Sequence, residues 1–146
     1  MARISSRISF ALLDRRTPKA RLAREVGVSR DLVYNYTREN FPEEFMRIPV
    51  LKAFAEYFKM DTYYFCNDYH KFMDQTDVAE LLKSIRRKKG VTQKMFADEL
   101  GDALAIYKAY EQGKSNLPYQ VYLRPQKVYG PFEDNLWEVE VNERKL

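Results

Sequence analysis

Residues 20 to 38, ARLAREVGVSRDLVYNYTR, decide the fold. Leu22, Ala23 and Val26 fall at the i, i+1, i+4 spacing of one helix face, and Leu32, Val33 and Tyr36 repeat it after the glycine. Gly27 lies between the two faces, where a tight turn needs a positive φ that glycine adopts without steric cost. Ala23 is small where a second helix must cross close to the first. The pattern predicts two short helices at a steep angle. Thr17 is placed to cap the first, with Pro18 at its first position, and Ser29 to cap the second, with Asp31 in its first turn. Ile4, Ile8 and Leu12 at i+4 spacing predict a helix before this pair.

Sliding the chain by 74 residues lays residues 94 to 112, KMFADELGDALAIYKAYEQ, over the same stretch. Four positions are identical: Ala23 with Ala97, Glu25 with Glu99, Gly27 with Gly101 and Tyr36 with Tyr110. The apolar positions agree throughout, Leu22 with Phe96, Val26 with Leu100, Leu32 with Ile106 and Val33 with Tyr107. Thr92 and Asp102 stand in the capping places and Gly113 follows as a C-terminal stop. Leu81, Leu82 and Ile85 predict the preceding helix of this second unit.

Composition narrows the function classes. Of 146 residues, 45% are hydrophobic and 32% charged, a balance suited to a folded chain. No run approaches the ~20 apolar residues of a membrane span, and the opening MARISSRISFALLDRR has no signal-like apolar block, so a cytoplasmic protein without membrane contact is expected. A single cysteine, Cys66, rules out an intrachain disulfide. With Cys66, Asp68 and the single histidine, His70, too few ligands gather for a metal; a buried thiol and a surface imidazole are expected. Neither metal nor cofactor is implied. No phosphate-cradling glycine motif or catalytic triad is evident, and Glu43 and Glu44 read as solvated loop carboxylates, so an enzyme is not expected.

The net charge is only +4, but residues 1 to 38 hold nine Arg or Lys against three acids. A second basic run, Lys83, Arg86, Arg87, Lys88 and Lys89, precedes the second unit, whereas residues 131 to 146 hold five acids against two bases. Positive charge gathered where helices are predicted is the electrostatic footprint of a nucleic-acid binder.

LAREVGVSRDLVYNY followed by RIPVLKAFAEYFKMDTYYF resembles the Cro/CI-type helix-turn-helix family, as does LLKSIRRKKGVTQKMFADELG with YEQGKSNLP after it. The first motif alone also suits TetR-like regulators, but no long helical ligand-binding domain follows. The resemblance implies a fourth helix after a proline in the first unit, and a third helix of each unit lying in the DNA major groove. In the first unit it assigns Ser29, Arg30, Asp31, Tyr34, Asn35 and Arg38 to the DNA face, with Thr17 and Lys19 beside them. Arg can grip guanine and Asn can pair with adenine. The second unit has Ala103, Leu104, Ala105, Lys108 and Ala109 at those places, and Asp102 instead of Val28 in the turn. Thr92, Gln93 and Lys94, with Lys114 and Asn116, keep phosphate-positioning chemistry there, and Leu104 is expected to be exposed and to touch protein.

After Pro118 the apolar residues alternate, Tyr119, Val121 and Leu123, and later Trp137, Val139 and Val141, around a Pro125, Gly130, Pro131 connection. This reads as a short β ribbon, with a degenerate fourth helix as the rival for 119 to 124. The expected fold is mainly α, with helix-turn-helix domains at 1–72 and 76–146 of four and three helices and a short C-terminal β ribbon. The expected function is a sequence-specific, repressor-like DNA-binding regulator of the kind found in phages and mobile elements. Leu104, Tyr119, Trp137 and Val139 are its expected homodimer contact. The rival is a protein-interaction module on the same scaffold, such as a phage antagonist binding a host defence complex.

Overall fold

The computed structural model describes residues 2 to 129, with side chains described to residue 124, and every regular element among them is helical. The chain divides into two compact units, Met1–Asp74 and Gln75–Leu146. The protein is mainly α.

In the first unit α1 (Ile4–Asp14), α2 (Lys19–Val26), α3 (Arg30–Tyr36) and α4 (Ile48–Tyr57) surround one core, and α5 (Asp68–Gln75) closes it. Ile4, Ile8, Leu22, Val33, Leu51, Phe54, Phe58 and Phe65 are fully buried there. α3 is too short to hold itself in water, since isolated helices below about 12–15 residues are marginal. Tertiary contacts fix it: Val33 and Tyr36 are buried, and the Tyr36 hydroxyl accepts the Arg47 N–H at 2.8 Å, tying α3 to the start of α4. Pro49 sits in the first turn of α4, where a missing N–H breaks no helix bond. Gly27 adopts φ 82° and ends α2, and Ser29 Oγ accepts the Leu32 N–H at 3.0 Å, capping α3. Thr17 does not cap α2: Pro18 holds the N-cap, and the Thr17 hydroxyl donates back to the Arg15 carbonyl. The chain reaches Thr17 through Arg16 in the left-handed region (φ 49°), closing α1 with Arg16 and Thr17 N–H bonds to Leu13 and Leu12 carbonyls, so Thr17's side chain faces the turn it leaves.

Two residues that sequence places on the surface are structural. His70 is 1% exposed: its Nδ1 accepts the Asn67 N–H at 3.1 Å, so the proton resides on Nε2, which donates to the Glu43 carbonyl at 2.9 Å. Glu43, in the 3-10 turn Glu43–Phe45, accepts the Ile4 N–H at 2.7 Å and the Asn67 side-chain amide at 3.2 Å. It thereby caps α1, whose own N-terminal residues offer no side-chain cap.

The second unit repeats the plan with α6 (Val78–Lys89), α7 (Gln93–Leu100), α8 (Leu104–Glu111) and α9 (Tyr119–Tyr129). Leu82, Ile85, Phe96, Ala97, Tyr107 and Leu117 form its core. Thr92 Oγ1 accepts the Met95 N–H at 3.1 Å and caps α7, and Gly101 (φ 78°) ends it. Asp102 does not cap α8; Ala103 holds that place, and the Asp102 carboxylate accepts the Tyr110 hydroxyl at 3.3 Å.

The expected strand at 119 to 124 is helix α9, which runs through Pro125. Val121 and Tyr122 are adjacent and both buried, which a helix face allows and a two-sided strand with one buried face does not. Proline leaves one helix bond unmade, and burial of this pair outweighs it. The Arg124 guanidinium of α9 donates to the Leu100 carbonyl at the end of α7. The second expected strand, with Trp137, Val139 and Val141, lies outside the described residues.

Candidate functional site

Helices α2 and α3 of the first unit carry several cations. Lys19, Arg21 and Arg24 come from α2 and Arg30 from the start of α3, with Arg38 just beyond its end, and none of these five makes an ion pair among the described residues. Tyr34 is 48% exposed, and the Lys19 ammonium lies 4.6 Å above its ring centroid, a cation–π contact linking α2 to α3. Arg38 Nη1 donates to Asn35 Oδ1 at 3.2 Å. Asn35 is half-buried, whereas Arg30, Asp31 and Arg38 are exposed. Ser29 is exposed too, but its hydroxyl oxygen already accepts the capping bond. Thr17 is half-buried.

Other cations of the first unit hold the fold instead. Arg7 donates to the Tyr64 carbonyl, and Arg15 donates to the Phe58 carbonyl at 2.9 Å. Lys52 pairs with Asp74 at 3.0 Å beside the Tyr63 hydroxyl, which donates to the same carboxylate oxygen at 2.6 Å. Those two hydrogen bonds, Tyr63 first, hold the Asp74 carboxyl below its usual range.

The second unit uses its cations differently. Arg86 meets Glu111 through Nε and Nη2 at 3.1 Å each, and Glu111, 2% exposed, also accepts the Gln93 amide at 3.2 Å. The Glu111 hydrogen bond holds the Arg86 pKa above its ordinary value; burial, then the Glu111 charge, pushes the Tyr107 phenol up. Lys89 pairs with Glu99 at 2.6 Å, Lys94 with Asp98 at 3.5 Å and Lys83 with Glu80 at 3.8 Å. Much of the basic run that sequence reads as a nucleic-acid footprint is thus engaged inside its own unit. Lys108 and Lys114 remain exposed, as does Thr92, whose hydroxyl oxygen is engaged in capping.

The apolar face of the second unit is shifted from the sequence expectation. Leu104 is half-buried, while Ile106, matched to the half-buried Leu32, is 48% exposed, and Met95 is 51% exposed. Tyr119 stacks on Tyr122 with ring centroids 6.2 Å apart, within the unit. Sequence reasoning missed Met95 and Ile106; their only signal is that Met95 stands where Arg21 does in the first unit, an apolar residue on an outward helix face.

Among the described residues no group of three or more His, Cys, Asp or Glu side chains could hold a metal ion, and no helix is long and apolar enough to cross a membrane. Compared with protein-family models, with curated proteins and with solved structures, the chain matches none.

Proposed function

We propose that the chain is a sequence-specific DNA-binding regulator with two helix-turn-helix units, in which α3 of the first unit enters the major groove. The observation that carries this reading is a contrast at matched positions. Lys19, Arg21, Arg24, Arg30 and Arg38 stand free of ion pairs among the described residues on α2, α3 and the residue beyond, where the second unit has Gln93, Met95, Asp98, Leu104 and Gln112. Unpaired cations flanking a short exposed helix supply phosphate contacts and base-edge donors together. Arg30, at the N-terminal end of α3, is placed for guanine, and Asn35 for a purine edge. A repressor that occupies a palindromic site as a homodimer is part of the reading.

Selection of bound duplexes from a random pool, at stated salt, tests it. Arg30→Ala is expected to lose about 1–3 kcal/mol on the selected site and relax one base pair, while Lys108→Ala leaves base preference intact. Specificity lost with Lys108 but not with Arg30 would reverse the roles of the two units. Light scattering at high micromolar concentration checks the dimer.

A second reading, a protein-interaction module, draws support from Met95 and Ile106, exposed by half on the second unit. Co-purification separates the two: bound DNA favours the regulator, a stoichiometric protein the module.

A further inference from the structure

We propose that Arg38 serves the DNA face by positioning the Asn35 amide for a purine edge, not by gripping a phosphate; this rests on the DNA-binding reading above. Arg38 follows Asn35 by three residues, just beyond the C-terminal end of α3, and its Nη1 donates to Asn35 Oδ1 at 3.2 Å.

An asparagine amide has nearly the same shape with its oxygen and nitrogen exchanged, so an unrestrained Asn35 would present either end to a base. A guanidinium only donates. At this place it therefore selects the orientation in which Oδ1 faces Arg38 and Nδ2 points away, leaving two amide N–H donors for the ligand. Purine N7 is the acceptor common to adenine and guanine in the major groove, and the oxygen's second lone pair remains for the adenine amino group. Half-burial of Asn35 limits its other rotamers, so one hydrogen bond fixes the group before DNA arrives. Arg38 itself is exposed and has no carboxylate partner among the described residues. Its charge is thus equally available to a phosphate, and base preference set against salt dependence distinguishes the two roles.

Selection from a random duplex pool with the full-length protein, Asn35→Ala, Arg38→Ala, Arg38→Lys and the double alanine variant separates them. Wild type is expected to enrich a purine at one position that Asn35→Ala loses by roughly 5- to 100-fold. Arg38→Ala should lose preference at that same position, the double variant no more than either single, with the salt slope unchanged, while Arg38→Lys, which also only donates, should keep part of it. The proposal is overturned if Arg38→Ala weakens all sequences alike and flattens the salt slope by about one, with Arg38→Lys restoring both, the behaviour of a phosphate anchor. It is also overturned, with DNA binding intact, if the Asn35-dependent position is not a purine or survives every Arg38 variant. A wild type that enriches no sequence overturns the DNA reading and this inference with it. Circular dichroism confirms that each variant is folded.

Discussion

Glu111→Ala should destabilise the second unit by about 3 kcal/mol or more, because removing one partner of a buried ion pair leaves an uncompensated charge, typically a loss of 3–5 kcal/mol. The lower end applies because Arg86 keeps a fifth of its side-chain surface in water while Glu111 keeps 2%. Gln93 loses its acceptor in the same step. A unit of this size has a total stability of about 4–10 kcal/mol, and each kcal/mol moves the midpoint by about 4–8 °C, so a drop of roughly 12–25 °C is expected. Differential scanning calorimetry reads the midpoint, and hydrogen exchange should show α6 to α8 losing protection. Replacing both partners, Arg86→Met with Glu111→Leu, should land within about 1–2 kcal/mol of wild type, since an apolar pair avoids the desolvation of two charges. A single variant that shifts stability by less than about 1 kcal/mol would refute the reasoning, because the pair would then be behaving as an exposed one. A double variant as damaged as the single would refute the desolvation argument alone.

Log affinity for duplex DNA should fall with log salt at a slope of roughly −4 to −8, matching several phosphates met by the unpaired cations of the first unit; fluorescence anisotropy across 50 to about 200 mM salt checks this, and a flat profile removes phosphate-driven binding. Stability of the first unit should fall as pH drops below the unfolded histidine value of about 6.5. Burial holds the native His70 pKa below that value, so the unfolded chain binds the extra proton and the loss runs from there down to the native pKa. Glu43 and Glu44 stand near this ring, so His70→Gln, which should flatten the pH 5–7 part of the urea midpoint curve, isolates its share. Lys59 ends α4 at φ 58°, a left-handed position that a side chain resists, and Lys59→Gly should raise stability by about 0.5–1 kcal/mol in urea titration; a decrease would mean that its stem packs usefully.

The parts of the fold legible in the sequence are those written within a few residues. Gly27, Ser29, Thr92 and Gly101 announce turns and caps through their own backbone preferences, and each sits where expected. Thr17 and Asp102 have capping chemistry as well, but the chain's entry into each helix places another residue at the cap. Glu43 and His70 were illegible because their partners lie far along the chain, 39 residues away for the Ile4 N–H and 27 between His70 and Glu43. The strand expected at 119 to 124 arose because so short a stretch fits either period; only the buried Val121 and Tyr122 pair decides it. For the candidate site, sequence picked out the polar residues of α3 but could not tell free cations from engaged ones. Arg86 and Arg30 look alike until Glu111, 25 residues on, is seen to hold the former.

Cys66 gives the first unit a built-in clock. The thiol is 3% exposed, and burial pushes its pKa up to about 11, so at pH 8 only about one thiol in a thousand is ionised. In an unfolded chain, with a thiol pKa near 8.5, roughly a quarter would be. Because the thiol is also buried, a thiol-directed reagent reaches it through molecules that have opened around Phe65 and Cys66, and with no other cysteine to compete, its rate reports those openings.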